Sequence, residues 1–198
     1  MVLKIPNLVA RALYVESLQD LWLPTYEDRE LLQSNAEALY LHGDLQLLCD
    51  FIETRYFQVL SNRDYRWTNE LLVKMAFLTL LFNDRIYMMV SEIEAGHGYA
   101  DLSLIVRPDM RRFKALDLVL EFKYLSLQEL GLSGKVIRET SREDLAALPL
   151  VVAKLDEADG QARRYGTTLI ERYGLTDLRA FSVVSLGLER LVWRPVRF

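Results

Sequence analysis

Hydrophobic residues recur with two different spacings along this chain, and the change of spacing predicts where helices give way to strands. Apolar positions three to four residues apart predict helices, because that spacing follows one face of a helix. Such helices are expected over residues 8–19, 27–41, 45–59, 69–83 and 155–173. Shorter runs rich in Val, Ile, Leu and Phe predict strands at 86–93, 100–106, 116–125 and 178–185, with an edge strand at 191–196. This order predicts an α/β fold on a small mixed sheet.

Proline and glycine residues separate these predicted elements. Ile5 precedes Pro6, which disfavours helix there, so the first seven residues are expected to be extended. Gly43 ends the second predicted helix, and Pro108 lies in a turn between the second and third predicted strands. Glycines at 131 and 134 predict a loop around short elements in the segment 127–142. We expect one compact domain, in which a helical region at 1–66 packs on an α/β core at 67–198.

Charged side chains interrupt two of the predicted strands. Asp101 opens the run at 100–106, and Glu121 and Lys123 lie inside the run at 116–125. Because strand side chains alternate between two faces, Glu121 and Lys123 share one face of their strand. Burying either charge alone is costly, so a compensating group is expected. Two explanations remain open: a divalent metal held by Asp101 and Glu121 with Lys123 beside it, or a plain ion pair.

The order of several short motifs resembles the PD-(D/E)XK nuclease superfamily. The centre of the resemblance is Gly98-x-x-Asp101, followed by Glu121-x-Lys123. The wider order covers nearly the whole chain and looks like the nuclease-like domain that follows AAA-type ATPase-like domains, mostly in bacteria. It consists of Ile5-Pro6-Asn7, Glu70, Ser91-Glu92, Gly96-x-Gly98-x-x-Asp101, Glu121-Phe122-Lys123, and Gln161 with Tyr165. The sequence departs from the pattern in having Ala100 before Asp101, where the superfamily name implies proline.

The resemblance implies a restriction-endonuclease-like core of a helix, three strands, a helix and a strand, preceded by an N-terminal helical region. It also implies that Asp101 and Glu121 bind Mg²⁺ or Mn²⁺, an arrangement in which one or two carboxylates suffice beside water and a substrate phosphate. Lys123 would then position the attacking water and stabilise charge on the phosphate. The further catalytic residues that the resemblance implies are Glu70, Glu92 and Gln161.

Three of these candidates, Asp101, Glu70 and Gln161, also have a structural explanation. Asp101 can serve as a polar residue at the start of a strand. Glu70 lies near the start of an apolar helix, where an acid is favoured by the helix dipole. Gln161 and Tyr165 are four residues apart on one helix face, so they could form the polar edge of a core.

Composition narrows the class of protein without selecting an activity. Of the 198 residues, 51% are hydrophobic, which is ample for a core and argues against disorder. The net charge of −4 lacks the basic footprint of a nucleic-acid coat protein. The one cysteine, Cys49, excludes an intrachain disulfide and fits a reducing compartment, so a cytoplasmic location is expected. We expect no secretory signal, no membrane span and no P-loop.

These observations lead us to expect a metal-dependent nuclease that hydrolyses phosphodiester bonds, with DNA as the expected substrate. The alternative is a catalytically silent nuclease-fold module that serves an AAA-type ATPase through nucleic-acid binding or protein interaction. The complete set of Asp101, Glu121 and Lys123 favours the enzyme, whereas the net acidity favours the alternative. The expected partners are nucleic acid and an AAA-type ATPase domain in the same or another chain, and a homodimer is left open.

Overall fold

The computed structural model describes residues 17, 23, 25–57, 70–90 and 101–198. Helix α1 spans Tyr26–His42, close to the predicted 27–41. Thr25 caps its start by accepting a hydrogen bond from the backbone N–H of Asp28. Gly43 ends it with a φ of 71°, a left-handed conformation that favours glycine. Both predicted boundaries of this helix are therefore confirmed to within one residue.

The second described helical segment consists of two types of helix. Helix α2 spans Gln46–Phe51 and continues into a π-helical turn at Ile52–Tyr56. Apolar side chains at helical spacing within the predicted range 45–59 are buried, namely Leu45, Leu48, Cys49, Ile52 and Tyr56. Glu53 is buried as well, which the apolar spacing did not predict. Its carboxylate accepts hydrogen bonds from distant groups, namely the side chains of Arg142 and Arg190 and the backbone N–H of Leu191.

Five strands form one mixed sheet in the order β1 to β5. They span Tyr87–Val90, Leu102–Val106, Asp117–Leu125, Leu178–Leu186 and Arg190–Val196. β3 and β4 are parallel, and the other neighbouring pairs are antiparallel. The predicted succession of strands along the chain is confirmed, and Pro195 lies on the edge strand β5, as expected for a residue without a backbone N–H.

Helices precede the sheet and connect its two parallel strands. Helix α3 spans Glu70–Leu80, and α4, α5, α6 and α7 span Leu127–Leu130, Gly134–Glu139, Arg142–Ala146 and Pro149–Tyr173. The segment 127–142, predicted as a loop around short elements, contains short helices that begin after capping serines. Each serine side chain accepts a backbone hydrogen bond, and these serines are Ser126, Ser133 and Ser141. The predicted turn at Pro108 is a single turn of 3-10 helix, Pro108–Met110.

The two faces of β3 pack against different parts of the chain. Leu120 and Phe122 belong to the core that includes the N-terminal helices, and the Phe122 ring lies 4.8 Å from that of Phe77 in α3. Val119, on the opposite face, packs with Tyr165 of α7. Tyr165 is therefore a core residue. Because side chains alternate along a strand, Glu121 and Lys123 share the face that α7 covers.

Several predictions lie outside the described residues. They concern the extended start and first helix, where Ser17 alone is described, the end of the first strand beyond Val90, and the motif residues Ser91, Glu92, Gly96 and Gly98. The division at residue 66 also falls in a part of the chain that is not described, so it stays a prediction. Among the described residues, no helix is both long and apolar enough to cross a membrane.

Candidate active site

Asp101 and Glu121 lie side by side at the start of β2 and the middle of β3. The antiparallel register pairs Leu102 with Leu120, which brings the preceding Asp101 opposite Glu121. The backbone N–H of Asp101 donates to Glu121 Oε2 at 3.3 Å. The backbone N–H of Phe122 donates in turn to Asp101 Oδ2 at 2.8 Å. Backbone hydrogen bonds therefore hold the two carboxylates together.

The electrostatic environment of Glu121 disfavours its ionised form. Its side chain is only 3% exposed. Burial, and after it the negative charge of Asp101, raise the pKa of Glu121 to about 8 against the opposing effect of Lys123. When both carboxyl groups are ionised, their negative charges repel each other, and burial of Glu121 prevents water from screening that repulsion.

The ammonium of Lys123 lies among three carboxylates but hydrogen-bonds to none of them. Its Nζ is 3.7 Å from Glu121 Oε1, 3.9 Å from Glu157 Oε1 and 4.0 Å from Glu70 Oε2. These distances exceed those of hydrogen bonds. The ion pair between Lys123 and Glu121, which was the structural alternative to a metal site, is therefore present but loose. The side chain of Lys123 is 8% exposed. Its three N–H donors therefore remain able to bind water or a phosphate oxygen.

Glu70 begins α3 and reaches toward the same ammonium. Burial raises the pKa of Glu70, and the nearby Lys123 opposes that rise. Glu70 thus has both the position at a helix start that its structural explanation requires and the proximity to Lys123 that a catalytic role requires. The geometry joins it to the site through Lys123.

Lys74 is a site residue that the sequence analysis did not identify. It lies one turn after Glu70 in α3, and its Nζ is 3.3 Å from Asp101 Oδ1. Both side chains are shielded, with exposures of 15% and 14%. The available signal was the charge itself, because Lys74 interrupts an otherwise apolar helix four residues after Glu70.

Helix α7 brings Glu157 and Gln161 to the covered face of β3. Glu157 accepts a hydrogen bond from Lys154 at 2.8 Å, and this bond lowers the pKa of Glu157. Gln161 is one turn further on and shares a helix face with Glu157. Its Oε1 is buried and has no hydrogen-bond partner in the described part of the chain. Gln161 therefore carries an open acceptor one helical turn from Glu157, and no hydrogen bond joins it to Asp101 or Glu121.

The carboxylates of Asp101 and Glu121 fit a divalent cation. Each oxygen has two lone pairs, so those that already accept one hydrogen bond can still bind a metal. A cation would also offset the burial and the repulsion from Asp101 that together raise the pKa of Glu121. No group of three or more His, Cys, Asp or Glu suited to a metal occurs within the described ranges. Two carboxylates completed by water and phosphate remain within what Mg²⁺ accepts.

Of the predicted site residues, Asp101, Glu121, Lys123 and Glu70 are connected by direct contacts. Gln161 lies on the adjoining helix, and Glu92 falls outside the described residues. The partners that the sequence analysis missed are Lys74 and Glu157. Both come from helices, and both contact residues far away along the chain.

Comparison with known proteins gives one family match. No curated protein and no solved structure matches the chain. A family model described as the PD-(D/E)XK nuclease superfamily matches residues 68–146. The matched segment includes Glu70, Lys74, Asp101, Glu121 and Lys123, whereas α7 lies beyond it. The mixed α/β architecture, with its five-stranded sheet and N-terminal helices, is consistent with a PD-(D/E)XK-like fold, and residues 68–146 are accordingly similar to the PD-(D/E)XK nuclease superfamily.

Proposed function

We propose that this protein is a metal-dependent nuclease that hydrolyses phosphodiester bonds, with DNA as its substrate. The observation that carries the proposal is the contact between Asp101 and Glu121 with the loosely paired ammonium of Lys123 beside them. The family match over residues 68–146 supports the same class of chemistry. In this proposal Asp101 and Glu121 hold Mg²⁺ or Mn²⁺.

Hydrolysis requires a water molecule to attack phosphorus in line while the bond to the departing sugar oxygen breaks, and the proton that the water loses is balanced by protonation of that oxygen. A divalent metal held by Asp101 and Glu121 would lower the pKa of a water molecule and polarise the phosphate. Asp101 is oriented by the Phe122 N–H, and Glu121 by the Asp101 N–H, so both ligands are positioned before metal binds. This preorganisation favours catalysis, because the site need not rearrange during the reaction.

Lys123 acts on the charge that develops on the phosphate. Its donors are not committed to hydrogen bonds with the surrounding carboxylates, so they can bind a phosphate oxygen at the moment of attack. Glu70 and Glu157 keep the ammonium over the site by attraction from two helices. The open acceptor of Gln161 can orient the attacking water, which supports the role assigned to it from the resemblance.

A second candidate function is a catalytically silent module that serves an AAA-type ATPase, in the same or another chain, by binding nucleic acid or protein. The net charge of −4 favours it, because a free-standing DNA-binding protein usually carries excess positive charge. A homodimer is compatible with either function. In the silent module the carboxylates and lysines would form only a charge network.

Incubation of the protein with single- and double-stranded DNA and RNA, in Mg²⁺, in Mn²⁺ and in chelator, tests the proposal. We expect metal-dependent cleavage of DNA that is abolished by Asp101→Asn. Asp109→Asn is the matched control, because Asp109 pairs with Arg107 in an exposed turn. An absence of cleavage under every condition, together with metal-independent binding of nucleic acid, would favour the silent module.

A further inference from the structure

The contact between Lys74 and Asp101 places a positive charge directly on one of the carboxylates of the candidate metal site. Lys74 Nζ is 3.3 Å from Asp101 Oδ1, closer than Lys123 lies to any of its three carboxylates. The pair is well shielded from solvent, since both side chains are about 15% exposed or less. Solvent therefore screens it less than it screens an exposed ion pair.

A divalent cation and the Lys74 ammonium would compete for the same carboxylate. A metal bound to Asp101 lies about 2.0–2.6 Å from a ligating oxygen. The ammonium in its present position would then be within a few ångströms of the metal, an arrangement that like charges disfavour. Binding of the metal therefore favours movement of the ammonium away from Asp101.

The nearest acid on its own helix is a poor alternative partner for Lys74. Glu70 lies four residues earlier on the same helix face, but its carboxylate is already attracted to Lys123. A phosphodiester bound at the metal would bring negatively charged oxygens to the position that the ammonium must leave. A lysine is suited to such a contact, because its charge is compact and its side chain is flexible.

We propose that Lys74 is a substrate-positioning residue that occupies the cation position at Asp101 in the free protein and contacts the nucleic-acid phosphate once a divalent metal is bound. The inference rests on the proposed function and adds a residue to its site. It makes Lys74 an inhibitor of metal binding in the absence of substrate and a contributor to substrate affinity in its presence. Metal and nucleic acid should therefore bind with positive coupling.

The first experiment measures Mn²⁺ binding by calorimetry, without nucleic acid, for the wild type, Lys74→Met and Lys154→Met. Lys154 is the matched control, because it is a lysine that pairs with Glu157 rather than with a proposed metal ligand. We expect Mn²⁺ affinity to increase about tenfold or more in Lys74→Met and by clearly less in Lys154→Met. Lys74→Gln keeps a hydrogen-bond donor for Asp101 without the charge, and it should behave as Lys74→Met does. Agreement between the two variants would show that the change in affinity does not come from misfolding of Lys74→Met.

The second experiment measures DNA binding with Mn²⁺ in a Lys123→Ala background, where cleavage should be too slow to interfere. Loss of one phosphate contact should reduce the slope of log affinity against log salt concentration by about 0.7–0.9. We expect this reduction for Lys74→Met and an unchanged slope for Lys154→Met. A purely structural role for Lys74 would not alter the number of phosphate contacts.

The outcomes separate this inference from the proposed function. Equal Mn²⁺ affinities for the wild type and both Lys74 variants, with the wild type still cleaving DNA, would overturn the inference and leave the nuclease intact. Tighter Mn²⁺ binding with an unchanged salt slope would also overturn it, since Lys74 would then be only a competing ion-pair partner. A wild type that neither binds Mn²⁺ nor cleaves would overturn the nuclease proposal and this inference together.

Discussion

Replacing Glu121 with glutamine should stabilise the metal-free protein. Glutamine is similar in size and keeps an oxygen that can accept the hydrogen bond from the Asp101 N–H. It removes an ionisable group whose pKa is about 8 in the folded protein against 4.5 for the ordinary side chain. At pH 7 this difference corresponds to about 3 kcal/mol of lost stability, because the folded protein must either retain a proton or bury a charge.

The sign of the pH dependence follows from the direction of the shift. The folded state binds more protons than the unfolded state between pH 4.5 and about 8, so wild-type stability falls as pH rises through this range. Below that range the carboxyl is protonated in both states, and the variant should lose its advantage. Urea unfolding in chelator at several pH values measures the difference directly.

A matched control is available in a second buried glutamate. Glu53 is also buried, but it accepts hydrogen bonds from two arginines and a backbone N–H. Glu53→Gln should therefore destabilise the protein by about 1–3 kcal/mol, because it leaves charged donors incompletely paired. The same substitution is thus expected to have opposite signs at the two positions.

Two results would refute the reasoning about Glu121. One is a Glu121→Gln variant that is less stable than the wild type at pH 7 in chelator. The other is a stability difference that stays constant between pH 4.5 and 8, since the effect must follow the proton. Mn²⁺ should raise the unfolding temperature of the wild type but not that of the variant.

Three further predictions follow from the same site and fold. Mn²⁺ binding at pH 7 should release close to one proton, because Glu121, with a pKa of about 8, is mostly protonated before the metal binds. Calorimetry in buffers of different ionisation enthalpy measures the number of protons released, and a release of zero protons would contradict the assignment of Glu121 as a ligand. Lys123→Ala should leave Mn²⁺ affinity intact or slightly higher, because one like charge is removed, while single-turnover cleavage falls by about 10²–10³. Lys135→Ala, which removes an exposed lysine, should change neither. A strongly destabilised Lys123 variant that Mn²⁺ does not affect would instead support a plain ion pair. Gly43→Ala should lower stability by about 1 kcal/mol in denaturant unfolding, because the φ of 71° is unfavourable for alanine. The added methyl would meet its nearest atom at 3.6 Å, which is an ordinary contact, so crowding is not the cause. An unchanged stability would refute backbone strain.

Local patterns in the sequence were sufficient to predict most of the described secondary structure. Helix α1 ends where Gly43 follows it, and α7 covers the predicted range 155–173, with Leu155, Ala158, Ala162, Tyr165 and Leu169 buried. These predictions succeeded because capping, helical spacing and strand alternation depend on neighbours close in sequence. The segment 127–146 was harder to predict, since its helices are too short to establish a hydrophobic period.

The candidate site was only partly determined by sequence. That Glu121 and Lys123 share a strand face follows from a separation of two residues, and the choice of Asp101, Glu121 and Lys123 came from motif resemblance. The register between β2 and β3, which places Asp101 opposite Glu121, is a property of the folded sheet. Hydrogen bonds between strands and packing against both faces set that register, and no short sequence window contains them.

Only the tertiary structure decided which charges surround the two carboxylates. Lys74 contacts a residue 27 positions away, and Glu53 contacts one 138 positions away. Such contacts depend on how separate helices dock on the sheet, which hydrophobic packing determines over the whole molecule. The raised pKa of Glu121 has the same origin, because it arises from burial beneath α7 and from a carboxylate on another strand. The sequence alone therefore predicted Asp101, Glu121 and Lys123 as candidate site residues, whereas the fold determined which groups surround them and raised the pKa of Glu121.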